Sequence, residues 1–420
     1  MANRQTLKES NNNVLVVNGG SSSIKFAVYQ AGKTLKEYFH GNINRIGLPG
    51  TNLTFINSME NTNESFALKS SDIRSAANYL VDWLEKQINF SSINGIGHRV
   101  VFGLNHKKPE RITKELLKEL HRISPYDPDH LPAEIELIEA LIQRYHQTPQ
   151  FACYDTWFHH TMPHVAQMLS IPRRFEKFGI QRYGFHGLSY SYLIEEIARI
   201  AGKNASKNRV ILAHLGSGAS LAAVKESKSI DTSMGFTPSG GLVMGTRSGD
   251  LDPGVAWYMM KSENLTPQQF NKIINHESGL LGVSETTSDM QDLLEKEKND
   301  SRAAEAVSLF CYQVKKWIGA FSAVIGGLDT LVFSGGIGEN SPVIRSRICE
   351  GLGFLGIQLD EKQNTKNATV ISVDNGSAFV RVIKTNEQLM IARIVNDILN
   401  HKFNMETDYE NKKNSRKEKS

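Results

Sequence analysis

The segment Val14–Tyr29 reads VLVVNGGSSSIKFAVY, and a later one, Val210–Val224, reads VILAHLGSGASLAAV. In the first, a strand over Val14–Val17 is broken by Asn18, Gly19 and Gly20 and resumes from Ile24 to Tyr29 with alternating small and apolar residues. In the second, a strand from Val210 to Leu215 meets a turn at Gly216, Ser217 and Gly218, then a strand from Ala219 to Val224. Strand, glycine-and-serine turn, strand therefore occurs twice, which predicts two similar lobes facing a common ligand.

Working outward, helical spacing covers Ser71–Lys86, Thr113–Ile123 with Thr113 as N-cap, and Pro132–Tyr145, with short strands at Ile93–Val101 and Gln150–Tyr154. Past the second turn come helices near Gly254–Lys261, Pro267–Ile274, Met290–Lys298 and Arg302–Ile325, a strand at Thr330–Ser334 and a helix from Ser341. Alternation of strands and helices indicates α/β layers. The final helix, Glu387–Leu399, is expected to cross back to the first lobe, with hinges near Tyr154–Thr156 and Lys384–Gln388. The expected organisation is a disordered N-terminus over 1–13, a first lobe over 14–155 joined by helix 388–403, a nucleotide-binding lobe over 156–387, and a disordered basic tail over 404–420.

At 420 residues the chain exceeds what one hydrophobic core usually supports. Its 40% hydrophobic and 22% charged residues suit a globular enzyme and exclude a fibrous or disordered chain. Net charge is only +4, with much of the excess between Lys412 and Lys419, so nothing calls for nucleic acid. Cys153, Cys311 and Cys349 are far apart and lack any CxxC spacing, which indicates neither a disulfide framework nor zinc and fits a reducing cytoplasm. No apolar run approaches the ~20 residues needed to cross a bilayer.

Asn18 to Lys25 offers a polyphosphate close backbone approach, successive amide donors, three hydroxyls and one ammonium. A hairpin turn with an incidental lysine is the alternative, and the repeat at Gly216–Ser220 weighs against it. Gly335-Gly336-Ile337-Gly338-Glu339-Asn340 reads as a strand-to-helix glycine turn that would approach a ligand. It lacks the GxGxxG spacing, and no G-x-x-x-x-G-K-S/T exists, so neither a Rossmann dehydrogenase nor a P-loop kinase is supported.

Arg99 ends a strand after Gly97 and His98, and Arg247 lies in the loop Gly245–Asp250. The planar guanidinium fork suits carboxylate and phosphate, with a structural salt bridge as the alternative for each. His186 stands between Phe185 and Gly187 just before a helix, where an imidazole can donate to an anionic oxygen. Asp155 at a strand end and Glu387 opening the last helix are candidates for magnesium, with caps or surface charges as the alternative.

In order, these segments resemble the acetate kinase family of the actin-like ATPase superfamily, from about Val14 to Leu399. The carriers are Asn18–Lys25, Gly97–Val101, Tyr183–Gly187, His214–Ser220, Gly245–Pro253, Gly335–Ser341 and Thr385–Glu387. The resemblance implies a cytoplasmic homodimer of α/β subunits. Each subunit would carry two actin-like, ribonuclease H-like lobes of duplicated βββαβαβα core around a nucleotide cleft. It implies reversible transfer of the ATP γ-phosphoryl group to acetate, giving acetyl phosphate and ADP.

By the same resemblance, Asn18, Ser21, Ser23 and Lys25 serve the phosphates and metal, and Arg99 and Arg247 the carboxylate and the moving phosphoryl group. His186 serves the equatorial oxygens, while Asp155 and Glu387 act near the acceptor and magnesium, manganese being the alternative ion. The metal set is Asn18 and Glu387. His214, Gly216, Ser217, Gly218, Asp289, Gly336, Ile337, Gly338 and Asn340 border the nucleotide. Val101, Phe185 and Pro238 meet the alkyl end of the acceptor.

The chain departs from the family pattern at several points. A Pro-Leu-His-Asn-Pro segment becomes Pro125-Tyr126-Asp127-Pro128, a histidine after Val101 becomes Phe102, and an asparagine becomes Ser217. An arginine becomes Gln291, and Leu188 and Tyr190 follow Gly187 in place of threonine and histidine. Asp127 would put negative charge near an anionic acceptor unless it points away or His130 stands in for the lost cation. Propionate or another short acid is the alternative acceptor, and an actin-like ATPase switch with no small acceptor is the alternative class.

Overall fold

A computed structural model describes residues 12–400 apart from 21, 33, 59, 61 and 89. Ser21 and both expected disordered segments, bar Asn12 and Asn13, lie outside the described residues. Asn13 is a correction: it is buried and opens the first strand, its side-chain amide donating to Ser92 Oγ at 2.9 Å.

The chain divides into two units, one made of the segments up to Trp157 and from Asn386, the other of Phe158–Thr385. Glu387, expected at the end of the second lobe, thus groups with the first unit.

The first unit holds strands β1 (Asn13–Gly19), β2 (Ser23–Gln30), β3 (Lys36–Asn44), β4 (Asn52–Asn57), β5 (Thr62–Ala67), β6 (Ile93–Val100), β7 (Glu110–Arg111) and β8 (Gln150–Tyr154), ordered β5-β4-β3-β2-β1-β6-β8-β7. β1 pairs antiparallel with β2 and parallel with β6. Val14–Val17 is a continuous buried run because a central strand has both faces covered. The strand does not stop at Asn18 as expected: Asn18 pairs with Lys25 and Gly19 with Ile24.

On one face, the helix Ile73–Gln87 opens with a capping box between Asp72 and Ser75. It sends Trp83 among Phe26, Phe39 and Phe55 at centroid distances of 5.5, 5.9 and 4.7 Å. On the other face lies the last helix, Glu387–Leu399. Gly97 lets it come close, since a Cβ there would sit 2.5 Å from Ile391.

The second unit holds β9 (Val210–Leu215), β10 (Ala219–Lys225), β11 (Lys228–Thr232), β12 (Thr330–Ser334) and β13 (Phe379–Val382), ordered β11-β10-β9-β12-β13. Here β9 is antiparallel to β10 and parallel to β12, as β1 is to β2 and β6. With β4, β5 and β7 set aside as additions to the first sheet, both sheets share the order third, second, first, fourth, fifth, given by β3-β2-β1-β6-β8 in the first. Two copies of this βββαβαβα arrangement are the actin-like fold.

The helix that follows each fifth strand packs in the opposite unit. The helix Gly187–Ala201 comes after β8 but buries Tyr190, Leu193 and Ile197 against Val210, Leu212 and Val332 of the second sheet. The helix Glu387–Leu399 comes after β13 and covers β6. One further correction concerns Gly335–Asn340, expected as a turn, which is itself a short helix. Gly335 enters it with φ 75°, where a Cβ would meet the Leu215 carbonyl at 2.7 Å.

Candidate active site

In the first unit, chemistry gathers where β1, β6 and β8 end. Arg99 donates to Asp155 Oδ2 at 2.5 Å and to Asn18 Oδ1 at 3.4 Å. Parallel pairing sets this up: Arg99 is opposite Cys153 on β8, and Asp155 N–H donates to the Val100 carbonyl at 2.9 Å. The Arg99 side chain is 17% exposed and that of Asp155 only 1%.

Arg99 Nε, Asp155 Oδ1 and Thr156 Oγ1 are buried without a hydrogen-bond partner, so the cluster retains binding capacity. Burial opposes the Arg99 charge, but Asp155, Glu387 and Glu134 outweigh it and hold the guanidinium above its ordinary value. Burial pushes the Asp155 carboxyl up, with Arg99 pulling it back and Glu387 adding to the rise.

Glu387 stands in the first turn of the last helix, capped by Asn386, whose Oδ1 accepts the Leu389 N–H at 2.8 Å. Lys25 is exposed and lines a hollow of about 370 Å³ with His40, Asn42, Phe55 and Gln388. Ser23 closes the turn, its carbonyl accepting the Gly20 N–H at 2.7 Å. Val101 is buried just past β6.

Asp127, where a cationic donor was expected, is buried and binds His130 Nδ1 at 2.8 Å, leaving Oδ2 without a partner. Phe102 is buried and stacks on Tyr126 with centroids 6.2 Å apart.

In the second unit the β9–β10 turn is the organiser. Gly216 N–H donates to the Gly218 carbonyl at 3.1 Å, and Gly245 N–H to the Ser217 carbonyl at 3.0 Å, tying the turn to the Arg247 loop. A Cβ on Gly218 would lie 3.5 Å from His186 Nε2 and 3.6 Å from Arg247 Nη1, so an imidazole and a guanidinium converge on that glycine.

His186 holds φ 58°, a left-handed conformation uncommon outside glycine, at the start of the helix Gly187–Ala201. Its Nδ1 hydrogen-bonds to Ser220 Oγ at 2.9 Å, and its ring stacks on His214. The buried Tyr190 hydroxyl reaches the same Ser220 Oγ at 2.5 Å, and burial pushes that phenol up. Phe185 is buried, and its carbonyl meets His159 Nε2 at 3.0 Å.

Arg247 is half-buried and donates to the Pro238 carbonyl at 3.2 Å. Its loop is clamped by Gly279, φ 65°, where a Cβ would stand 2.2 Å from the Met244 carbonyl.

The short helix Gly335–Asn340 adjoins the same turn, with Gly336 N 3.7 Å from the Cβ position of Gly216. Glu339 Oε1 accepts N–H groups of Gly335 at 2.9 Å and Thr385 at 3.1 Å, and Asn340 Nδ2 donates to the Gly336 carbonyl at 2.9 Å. Beneath it the buried Arg345 donates to the Gly338 carbonyl at 2.8 Å, and desolvation lowers its pKa to about 10. Ile337 rides on this helix.

Asp289 is an exposed N-cap, its Oδ1 accepting the Gln291 N–H at 2.8 Å, and the preceding Ser288 lies 3.5 Å from the Cβ position of Gly245. Ser220, Tyr190 and Glu134 escaped the site assignment from sequence. Ser220 lay inside the second glycine motif, and Glu134 was detectable as an acid on the apolar face of its helix.

A duplicated actin-like core, with glycine turns on which an imidazole and a guanidinium converge, is the frame of a phosphotransferase in the family that this chain matches. The acetokinase family model matches residues 13–393, and the chain belongs to that family, whose acceptor is a carboxyl group. A propionate kinase of Citrobacter rodentium is 41% identical over 91% of this chain and 96% of its own length. An acetate kinase of Rhodopseudomonas palustris is 40% identical over 91% and 97%. Among solved structures, the acetate kinase of Porphyromonas gingivalis superimposes with a TM-score of 0.84 at 35% identity, covering 92% of this chain and 100% of that one. A propionate kinase of Francisella tularensis gives 0.86 at 36% identity over 92% and 99%.

Proposed function

We propose that the chain transfers the γ-phosphoryl group of ATP reversibly to acetate, giving acetyl phosphate and ADP by direct in-line displacement. A carboxylic acid with a pKa of about 4 to 5 is ionised at neutral pH, so no general base is needed. The barrier is repulsion between two anions. Arg99 is assigned to the carboxylate; His186 and Arg247 to the oxygens of the moving phosphoryl group, where fixed N–H donors stabilise charge.

The turns at Asn18–Lys25 and Gly216–Gly218 are assigned to phosphates, and Gly336, Ile337, Gly338 and Asn340 to the nucleotide. Asp289 keeps a nucleotide-side assignment from the family pattern. The observation that carries the reading is the convergence of His186 Nε2 and Arg247 Nη1 on Gly218.

Magnesium suits the oxygen donors Asn18 and Glu387 together with the orphaned Asp155 Oδ1, since it takes few protein ligands and keeps phosphate and water oxygens. When bound it offsets phosphate charge, and manganese is the alternative ion.

Propionate is the second acceptor to consider, because a propionate kinase is among the relatives at 41% identity. Val101, Phe185 and Pro238 are assigned to the alkyl end by the family pattern. Rates with acetate, propionate and butyrate, read by hydroxylamine trapping, decide between them. Background hydroxamate with all three, while ATP still binds, would sink the reading. Arg247→Ala should abolish acyl phosphate formation and leave ATP binding; equal modest losses in both favour an ATPase switch.

A homodimer is part of the proposal. The helix Pro253–Ser262 has no buried residue, and Trp257 and Tyr258 on it are 61% and 66% exposed, an apolar face suited to a second copy. Sedimentation of Trp257→Glu against wild type tests this. Cytoplasmic residence agrees with three free buried cysteines and with the lack, among the described residues, of any helix long and apolar enough to cross a membrane. Fractionation checks it.

A further inference from the structure

Glu134 stands in the first turn of the helix Leu131–Arg144, on the face that buries Leu131, Ile135 and Ile138, and is itself buried. An acid there is costly unless hydrogen-bonded. Its two oxygens face the Val101 N–H at 3.3 and 3.1 Å. β6 ends at Val100, so the Val101 amide has left the sheet ladder while still buried. A buried N–H without an acceptor destabilises the backbone that carries it.

We propose that Glu134 is a positioning residue for the carboxylate acceptor: by accepting the Val101 N–H it fixes the segment leaving β6, and with it Arg99 and the Val101 side chain. The inference rests on the reading that Arg99 serves that acceptor. Burial pushes the Glu134 carboxyl well up, with Arg99 and the Val101 N–H opposing and Asp127 and Asp155 adding. Asp127 is in turn held by His130. Glutamine keeps a side-chain oxygen of the same reach that can accept the Val101 N–H, so it is the closest mimic of this contact.

The test compares full-length wild type, Glu134→Gln and Glu134→Ala in steady-state kinetics with acetate and ATP at pH 7. Alanine should raise KM for acetate about tenfold or more, leave KM for ATP within about twofold, and glutamine should restore the acetate value. An unchanged acetate KM in the alanine variant, a parallel rise in the ATP value, or failure of glutamine to rescue overturns the inference. Should the alanine variant not fold, glutamine decides alone: near wild-type acetate KM supports the role, and a loss refutes it. Hydrogen exchange of a peptide spanning 99–104 separates this inference from the functional reading. Protection in wild type and glutamine but not alanine upholds the Val101 clamp even if no acyl phosphate forms; equal exchange in all three removes it.

Discussion

The rings of His186 and His214 stack with centroids 4.2 Å apart and 22° from parallel, and each is tied across the boundary between helix and sheet. His186, at the head of the helix Gly187–Ala201, reaches Ser220 on β10, while His214 on β9 reaches Ser189 on that helix at 2.9 Å. Helix and sheet thereby fix both imidazoles in one orientation.

Ser220→Ala removes the hydroxyl that aims His186. It should lower kcat by about tenfold, against about 10² to 10³ for His186→Ala, the range for losing one preorganised donor. Hydroxamate assays decide; full activity in Ser220→Ala would mean that stacking alone holds the ring.

Arg99→Lys keeps charge but loses the planar fork that meets Asp155 at 2.5 Å and Asn18 at 3.4 Å. The expected loss is about 10²-fold in kcat/KM for acetate, as for a misplaced reacting group. A lysine variant with wild-type acetate kinetics would show that charge alone suffices.

Gly279→Ala forces a Cβ to 2.2 Å from the Met244 carbonyl and 2.8 Å from that of Arg247, at φ 65°. Strain of about 1 to 3 kcal/mol falls on the loop carrying Arg247. Activity should drop further than thermal stability; the reverse outcome would place the strain elsewhere.

His98 and His159 are buried, and desolvation lowers each from 6.5 to about 4. Both groups are depressed in the folded state, so their stabilising contribution is present above pH 6.5 and is lost as pH falls towards 4. Each lost proton site steepens the fall by about 1.4 kcal/mol per pH unit. Urea unfolding between pH 7 and 4.5 should show the slope, and His159→Asn should flatten it by about one proton.

Much of this was legible before any coordinates. Val14–Val17 and Val210–Ala213 were legible as strands because a strand covered on both faces reads as an apolar run. Arg99, His186 and Arg247 stood out because glycines flank or closely precede them in chemically loaded segments. β5 was invisible because all six of its residues are exposed, so its conformation comes from pairing with β4.

The helix Gly335–Asn340 read as a turn because glycine favours turns; contact with β9 and β12 overrides that preference. Glu134 was not singled out, since its partner, a backbone amide far away in sequence, is what reveals its use.

The exchange of closing helices governs how this chain comes off the ribosome. Residues 158–385 form one uninterrupted stretch and can pack as soon as they emerge, but the first sheet must wait. Until Glu387–Leu399 is translated, β6 presents Gly95 and Gly97 uncovered, a bare stripe shaped for Ile391, Val395 and Leu399. The unit begun first in synthesis is therefore the last to be sealed, and a transcript truncated before Glu387 yields a protein with an open apolar seam.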